Sequence, residues 1–235
     1  MNYIFVLFVN MFVLALYYKI AVQYNIIDQP NERSSHKHAT IRGAGVIFLV
    51  TGILSIYSDL NHNYYFFIGL ISIGLISLLD DIFTLSVVLR IIVQSLSVLF
   101  ALGNLGLLSS PVIIIGIYLI LFLGWINAFN FMDGINGMTA FYSLSIFGTL
   151  YLVNKFFILP HYELIINICL SILVFMYVNV RNRALAFGGD VGSVVLAYMI
   201  GFLVLESIIL SGHYVFILFG CVYGIDAIFT IFRRI

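Results

Sequence analysis

Long apolar runs, each ended by a short polar cluster, follow one another along the whole chain. A helix that crosses a bilayer needs about 20 mostly apolar residues, and lipid forces every spanning segment to satisfy its own backbone hydrogen bonds. The pattern therefore predicts an all-α fold, a polytopic transmembrane helix bundle of about nine spans. Cutting the chain at the polar clusters gives the approximate limits 2–24, 43–58, 64–79, 88–103, 111–128, 138–154, 164–180, 193–210 and 214–232.

The apolar runs do not form repeats, since no period of about 20 to 50 residues is visible. We therefore expect residues 1–235 to form a single integral membrane domain. The first run lacks a basic leading segment and a small-residue cleavage site, so it is expected to stay in the mature protein. Several runs are short, which suggests that polar segments cut into the membrane boundary.

Composition excludes a soluble globular domain, because 63% of the residues are hydrophobic, 9% are charged and the mean hydropathy is +1.16. Ten Lys and Arg against ten Asp and Glu give no net charge, so no basic field is present to hold nucleic acid. Cys169 and Cys221 stand alone in apolar runs and are interpreted as small core residues. Lipids and small molecules are the expected partners.

Basic residues set the orientation of a membrane protein whose loops are short. With the N-terminus outside and the C-terminus in the cytoplasm, every Lys and Arg except Lys155 falls on the inner side. Most carboxylates collect at the same helix ends, whereas a proton-coupled transporter would place them near the bilayer midplane. We therefore predict a polar cleft that opens to the cytoplasm and touches lipid. Asn167, Asn179 and Glu206 lie inside spans and are expected to hydrogen-bond between helices.

Four inner segments supply the polar residues of this cleft. In the first, residues 28–45, Arg33 and Arg42 are cationic donors suited to phosphate, and the glycines let a ligand approach the backbone. A basic inner loop is also what the topology alone demands, so this segment by itself is weak support for a phosphate site. His36 and His38 alternate as zinc ligands do, but no Cys or second His pair supports a zinc site.

The second segment holds Asp80 and Asp81 at the end of the third predicted span, followed by Arg90 and Gln94 on one face of the next helix. Adjacent carboxylates repel each other, so a divalent cation or a shifted pKa would explain their presence near lipid. The alternative interpretation is a hydrated pair that caps the next helix.

The third and fourth segments are rich in Asn, Asp and Gly. Residues 127–137 contain three Asn, one Asp and two Gly, which predicts a ligand-lined break between two spans. In residues 187–193, paired glycines precede Asp190 at the start of a span. This pattern predicts free N–H groups beside a carboxylate, a suitable place for phosphate oxygens bridged by Mg²⁺.

Together these segments resemble the polyprenyl-phosphate N-acetylhexosamine-1-phosphate transferase family, also called glycosyltransferase family 4. The RSSH loop and the NFMDG segment are more similar to the sugar transferases that initiate O-antigen, capsule and teichoic-acid synthesis than to the phospho-MurNAc-pentapeptide translocases of the same family. The marks of the resemblance occur in the family's order: DQPNERSSH at 28–36, LLDD at 78–81 with Arg90 and Gln94, NAFNFMDGING at 127–137 and FGGDVGS at 187–193.

The resemblance implies that undecaprenyl phosphate attacks the β-phosphate of a UDP-N-acetylhexosamine, giving a lipid diphospho-sugar and UMP with Mg²⁺ as cofactor. It implies the bacterial inner or plasma membrane, an active site that faces the cytoplasm, and leaves a homodimer open. By motif position, Asn130 and Asp190 match the Mg²⁺ ligands, and Asp80 and Asp81 match the pair that activates the lipid phosphate or assists the metal. The remaining matches are nucleotide- and substrate-binding positions: Asn127, Asp133, Gly134, Asn136, Arg33, His36, Arg42 and Arg90.

Three departures from the family pattern affect these expectations. The loop reads Thr-Ile-Arg-Gly-Ala at 40–44 where relatives commonly have Thr-Pro-Arg-Gly-Gly, and Asn136 stands where many relatives have Asp. The chain also stops where relatives usually continue into a loop with a His-x-x-His-like motif and a further span. The alternatives are therefore an inactive, truncated homologue, a membrane transporter or flippase, and a CDP-type alcohol phosphotransferase, whose signature is missing after Asp133.

Overall fold

The computed structural model describes residues 2–30, 38–57, 60–157 and 161–234, and over these ranges the fold is all-helical. Two short 3₁₀ helices, Leu107–Ser109 and Tyr214–Gly220, and two two-residue strands, β1 (Ile27–Asp28) and β2 (Thr40–Ile41), complete it. The described α-helices are α1 (Tyr3–Gln23), α2 (Val46–Tyr57), α3 (Leu60–Phe83), α4 (Val87–Asn104), α5 (Val112–Met132), α6 (Met138–Phe157), α7 (Tyr162–Asn179), α8 (Gly189–Ser211) and α9 (Cys221–Arg234).

Each predicted span corresponds to a helical segment, which confirms a polytopic helical bundle. The count of nine crossings stays a prediction, because three of the segments are shorter than a bilayer requires: Val46–Tyr57, Met138–Val153 and Tyr214–Thr230. Six helices are long and apolar enough to cross a membrane: Tyr3–Gln23, His62–Phe83, Val87–Asn104, Val112–Met132, Tyr162–Asn179 and Gly189–Ser211.

Local signals in the sequence fix several helix ends. The side chain of Asn2 accepts the N–H of Ile4 at the start of α1, and the hydroxyl of Ser86 accepts the N–H of Leu89 at the start of α4. Gly212, with φ +71°, ends α8 in the left-handed conformation. Two helices run further than predicted, since α3 continues to Phe83 and α5 continues to Met132.

Helix α8 forms the centre of the bundle and contacts α2, α3, α5 and α6. It is buried almost all round from Val191 to Leu203, as expected for a helix that is apolar on every face. The ring of Phe66 in α3 stacks on Tyr198 and Phe202 of α8, with centroid distances of 5.3 and 4.0 Å. Because α8 is held on all sides, the position of its first turn is fixed by the core.

Polar side chains link α1, α2 and α7 inside the bundle. The Asn10 amide oxygen accepts hydrogen bonds from the hydroxyls of Thr51 and Ser171, and the Asn167 amide donates to Ser55. This confirms the helix-to-helix role predicted for Asn167. The same prediction is confirmed for the other two residues, because Asn179 bonds the backbone of Gly137 and Ala186, and Glu206 pairs with His161 at 3.2 Å.

The loop before α2 and the loop before α8 are bound together. Strand β2 pairs with β1 and also forms a parallel bridge from Ile41 to Ala186. The helices then approach so closely that a Cβ on Gly45 would lie 2.1 Å from the Cα of Gly192, a separation that only glycine permits. This contact brings the loop at 40–45 to the N-terminus of α8.

Candidate functional site

Asp80 lies in the last turn of α3 and stabilises the connection to α4. One carboxylate oxygen accepts the N–H of Leu85 at 2.7 Å, and the other accepts a hydrogen bond from Nη1 of Arg90 at 2.7 Å. Its side chain is 7% exposed, so a small part of the carboxylate remains accessible. The alternative prediction, that the acidic pair caps the next helix, fails because Ser86 caps α4.

Asp81 has a different environment, although it follows directly in the sequence. Its side chain is fully buried, and its carboxylate accepts the N–H groups of Asp190 and Val191 at 2.9 and 3.0 Å. Arg42 completes the arrangement with an Nε to Oδ1 distance of 2.6 Å. A carboxylate at this position stabilises the N-terminus of α8. The prediction that the N–H groups after the paired glycines are free for phosphate is therefore wrong for these two, because Asp81 occupies them.

Gly189 makes this capping contact sterically allowed. It adopts φ +71°, and a Cβ at this position would lie 2.4 Å from Oδ2 of Asp81. Both the left-handed backbone and the close carboxylate therefore require glycine. The Gly-Gly-Asp sequence thus serves the entry of α8 into the acidic cluster.

Two arginines join these aspartates to Asp190. Arg42 bonds Oδ1 of Asp190 through Nη2 at 2.8 Å, and Arg90 approaches Oδ2 through Nη1 at 3.4 Å. Burial lowers the pKa of the Arg42 guanidinium, but the charges of Asp81 and Asp190 outweigh it, so the pKa is raised and Arg42 stays protonated. Nε of Arg90 is buried and has no acceptor among the described residues.

We call Asp80, Asp81, Asp190, Arg42 and Arg90 the ion-pair cluster. Its three carboxylates exceed its two guanidinium groups by one formal charge. Buried charges are costly unless they are paired, and here both arginines bridge two carboxylates. An anionic ligand would compete with these carboxylates for the arginines, and a cation would gain oxygen ligands from the excess charge.

Asp133 lies beside the ion-pair cluster at the C-terminal end of α5. One of its oxygens accepts the hydroxyl of Thr139 at 2.7 Å, and the other lies 3.5 Å from the point that a Cβ on Gly188 would occupy. Burial raises the pKa of Asp133 to about 6, against the hydrogen bond from Thr139 and with a smaller contribution from the charge of Asp190. The side chain is therefore poised to accept or donate a hydrogen bond near neutral pH.

The Asn-rich segment is less uniform than predicted, because α5 continues through its first half. Asn127 is exposed and its amide donates to the carbonyl of Leu123 in the same helix. Asn136 donates instead to the carbonyl of Arg181 at 3.0 Å. The structure therefore directs neither amide to the ion-pair cluster.

The other predicted site residues have separate outcomes. Gly134 is exposed, with open space where a side chain would lie, and Asn130 is half-buried near the end of α5. Arg33 and His36 lie outside the described residues. The structure thus unites the predicted Asp80, Asp81, Asp190, Arg42 and Arg90, with Asp133 alongside.

Tyr17 and Thr139 were missed by sequence reasoning. The Tyr17 hydroxyl donates to the carbonyl oxygen of Arg42 at 2.7 Å, and nothing distinguishes this tyrosine from the others in an apolar helix. Thr139 follows the polar break at the start of α6, so its position next to an acidic segment is a usable signal.

A metal ion would need ligands beyond the acidic side chains. No group of three or more His, Cys, Asp or Glu able to hold a metal occurs within the described ranges. Asp190 and Asn130 nevertheless offer carboxylate and amide oxygens, the ligand type that Mg²⁺ prefers, and Mg²⁺ usually takes further ligands from phosphates and water. The donor chemistry of these residues therefore fits Mg²⁺.

Comparison with known proteins gives one family and several relatives. Residues 63–208, more than half of the chain, match the model described as glycosyl transferase family 4. The chain is 28% identical to the undecaprenyl-phosphate alpha-N-acetylglucosaminyl 1-phosphate transferase of Thermotoga maritima, over 81% of this chain and 60% of the relative. It is 33% identical to the phospho-N-acetylmuramoyl-pentapeptide-transferase of Lactococcus lactis, over 53% of this chain and 36% of the relative.

A third relative covers more of the chain. The probable undecaprenyl-phosphate N-acetylglucosaminyl 1-phosphate transferase of Bacillus subtilis is 28% identical over 92% of this chain and 66% of its own length. In each of these comparisons the chain spans less than two thirds of the relative. Asp80, Asp81, Arg90, Asp133 and Asp190 fall inside the family match, and Arg42 precedes it.

Proposed function

Because the chain belongs to glycosyl transferase family 4, we propose that it transfers N-acetylhexosamine 1-phosphate from a UDP-sugar to undecaprenyl phosphate. An oxygen of the lipid phosphate attacks the β-phosphorus of the donor, and the bond from that phosphorus to the bridging oxygen breaks. The products are undecaprenyl diphospho-N-acetylhexosamine and UMP. The printed names of the relatives, which are transferases for the same lipid phosphate or for a phospho-sugar peptide, support this reaction.

The ion-pair cluster is the observation that carries the proposal. Phosphoryl transfer depends on positioning and on neutralising phosphate charge more than on a covalent intermediate. Arg42 and Arg90 provide this neutralisation at the ends of helices that are otherwise apolar. The buried Nε of Arg90, which has no acceptor in the described part of the chain, supports an anionic ligand at this point.

The two neighbouring aspartates have separate tasks in this proposal. Asp80 keeps an accessible edge and is the carboxylate that takes a proton from, or orients, the attacking lipid phosphate. Asp81 is fully buried against the N-terminus of α8, so it positions Asp190 and Arg42 without contacting substrate. Asp133 and Gly134 are assigned to the nucleotide, where the open space at Gly134 leaves room for a ring.

Mg²⁺ belongs to the proposal as the cofactor. Asp190 and Asn130 are the residues that would hold it, and it would supply charge neutralisation of the two phosphates when bound. Asn127, Asn136, Arg33 and His36 retain their proposed contacts with nucleotide or substrate only by motif position.

The proposed setting is the bacterial inner or plasma membrane, with nine crossings, the N-terminus outside and the active site open to the cytoplasm. The distribution of basic residues supports this orientation, since Lys155 alone falls outside. The pathway that we propose is the initiation of O-antigen, capsule or another cell-envelope polysaccharide. A homodimer is not required by any contact that we describe.

Purified chain, undecaprenyl phosphate and a panel of UDP-N-acetylhexosamines, with Mg²⁺ or EDTA, test the proposal. We expect UMP and lipid-linked sugar to form together, only when the lipid phosphate and Mg²⁺ are both present. Product formation without added lipid phosphate would contradict the transferase reaction. No product from any donor would favour the inactive homologue.

A further inference from the structure

Tyr17 connects the first helix to the ion-pair cluster. It is buried in α1, and its hydroxyl donates a hydrogen bond to the carbonyl oxygen of Arg42 at 2.7 Å. Its neighbour Tyr18 is 41% exposed on the outside of the bundle. Two adjacent tyrosines of the same helix thus differ in their relation to the site, which provides an internal control.

The backbone next to Arg42 is shaped around the Tyr17 hydroxyl. Gly43 adopts φ +88°, and a Cβ there would lie 2.1 Å from Oη of Tyr17 and 3.6 Å from Oδ2 of Asp81. The hydroxyl therefore occupies the space of a missing side chain. The loop is accordingly closed on this side by Tyr17.

The opposite side of the same loop is tied to the entry of α8. The N–H groups of Ala44 and Gly45 donate to the carbonyls of Phe187 and Gly188 at 3.0 and 2.9 Å. The Arg42 peptide is therefore held between α1 and α8. From this peptide the guanidinium reaches Asp81 and Asp190.

We propose that Tyr17 is a positioning residue for Arg42 in the transfer reaction. It contacts no substrate and acts by fixing the peptide that aims the guanidinium at Asp190. This inference rests on the proposed function, because Arg42 neutralises phosphate charge only if the transfer takes place. It goes beyond the family match, which begins at residue 63 and does not include α1.

A double-mutant cycle tests this role. Tyr17→Phe removes only the hydroxyl, Tyr18→Phe is the matched control, and Arg42→Lys keeps the charge but loses the forked geometry. We expect Tyr17→Phe to lower kcat/KM for the UDP-sugar about 5-fold, the loss corresponding to one hydrogen bond of about 1 kcal/mol, with most of the change in kcat. In the Arg42→Lys background the same substitution should change kcat/KM less than about 2-fold, because its effect passes through Arg42.

Equal activity of Tyr17→Phe and Tyr18→Phe would overturn the proposal. An equal loss from Tyr17→Phe in both backgrounds would also overturn it, because the hydroxyl would then act through some other group. A general structural defect would lower stability without this dependence on Arg42.

A measurement without substrate separates this inference from the proposed function. Hydrogen exchange of the amides in residues 40–45, followed by mass spectrometry, should be faster in Tyr17→Phe than in wild type and unchanged in Tyr18→Phe. If wild type makes no product with any donor, the proposed reaction fails while the exchange result still stands. Unchanged exchange in Tyr17→Phe would overturn the positioning role whatever the activity.

Discussion

Asp81 accepts the backbone N–H of Asp190 at 2.9 Å, so the last turn of α3 caps the first turn of α8. A second bond from the N–H of Val191 completes the cap. The contact joins residues 109 positions apart in the sequence. It means that a carboxylate at the end of one helix sets the direction in which the carboxylate of another helix points.

The two adjacent aspartates should therefore respond differently to substitution. Asp81→Asn removes a buried charge that pairs with Arg42 and places an amide against backbone N–H groups, and breaking such a buried pair on one side costs about 3–5 kcal/mol. We expect a clear fall in the melting temperature of the detergent-solubilised protein together with loss of transfer. Asp80→Asn should lose transfer at least about 100-fold, the range of a lost proton-transfer group, with a much smaller change in melting temperature.

Asp226→Asn is the control for this pair, because Asp226 is an exposed aspartate in α9. Its melting temperature and turnover should match wild type. The division of tasks would be wrong if Asp80→Asn destabilised the protein more than Asp81→Asn, or if Asp81→Asn kept both stability and turnover.

Gly189→Ala tests the geometry of the cap without changing any charge. The added Cβ would meet Oδ2 of Asp81 at 2.4 Å on a backbone with φ +71°, so the cap must open. We expect loss of transfer and a lower melting temperature. Gly148→Ala is the matched control, since its Cβ would meet nothing within 4 Å inside α6, and it should be neutral or stabilising by up to about 1 kcal/mol. Similar behaviour of the two variants in thermal unfolding and transfer assays would contradict this account.

Asp190→Ala tests the proposed metal site. The variant loses the carboxylate that Arg42 and Arg90 share, and with it a proposed Mg²⁺ ligand. We expect no measurable UMP release at any Mg²⁺ concentration, with the protein still present in the membrane fraction. Wild type should lose UMP release in EDTA and regain it when Mg²⁺ is restored. Equal turnover by wild type and Asp190→Ala would remove the metal assignment.

The fold could be predicted to a large extent because lipid allows few structures. An apolar run in a bilayer must form a helix, so the limits of α1 and α4 could be predicted to within a residue or two. The end of α5 could not, because Asn127 satisfies its amide on its own helix and so does not interrupt it. Polar composition alone does not distinguish such a residue from a helix breaker.

The grouping of the site was also predictable, and its pairing was not. Acidic residues at inner helix ends indicated that Asp80, Asp81 and Asp190 would meet. That Asp81 would occupy the N–H groups of α8 depends on how α3 packs against α8, which no local pattern encodes. Tyr17 gave no signal either, because its role depends on the path of the loop around Gly43.

The buried polar contacts away from the site should affect stability without affecting turnover. Ser171→Ala removes a hydroxyl of α7 that donates to Asn10 of α1 at 3.0 Å, and hydrogen bonds between membrane helices contribute about 0.6 kcal/mol on average. We expect a small fall in the melting temperature with kcat and KM unchanged at 25 °C. Ser145→Ala is the matched control, because its exposed hydroxyl bonds only the carbonyl of Tyr142 in its own helix. A fall of the same size in both variants would show that the contact between α1 and α7 adds nothing to stability, and a change in kcat for Ser171→Ala alone would show that this contact reaches the site.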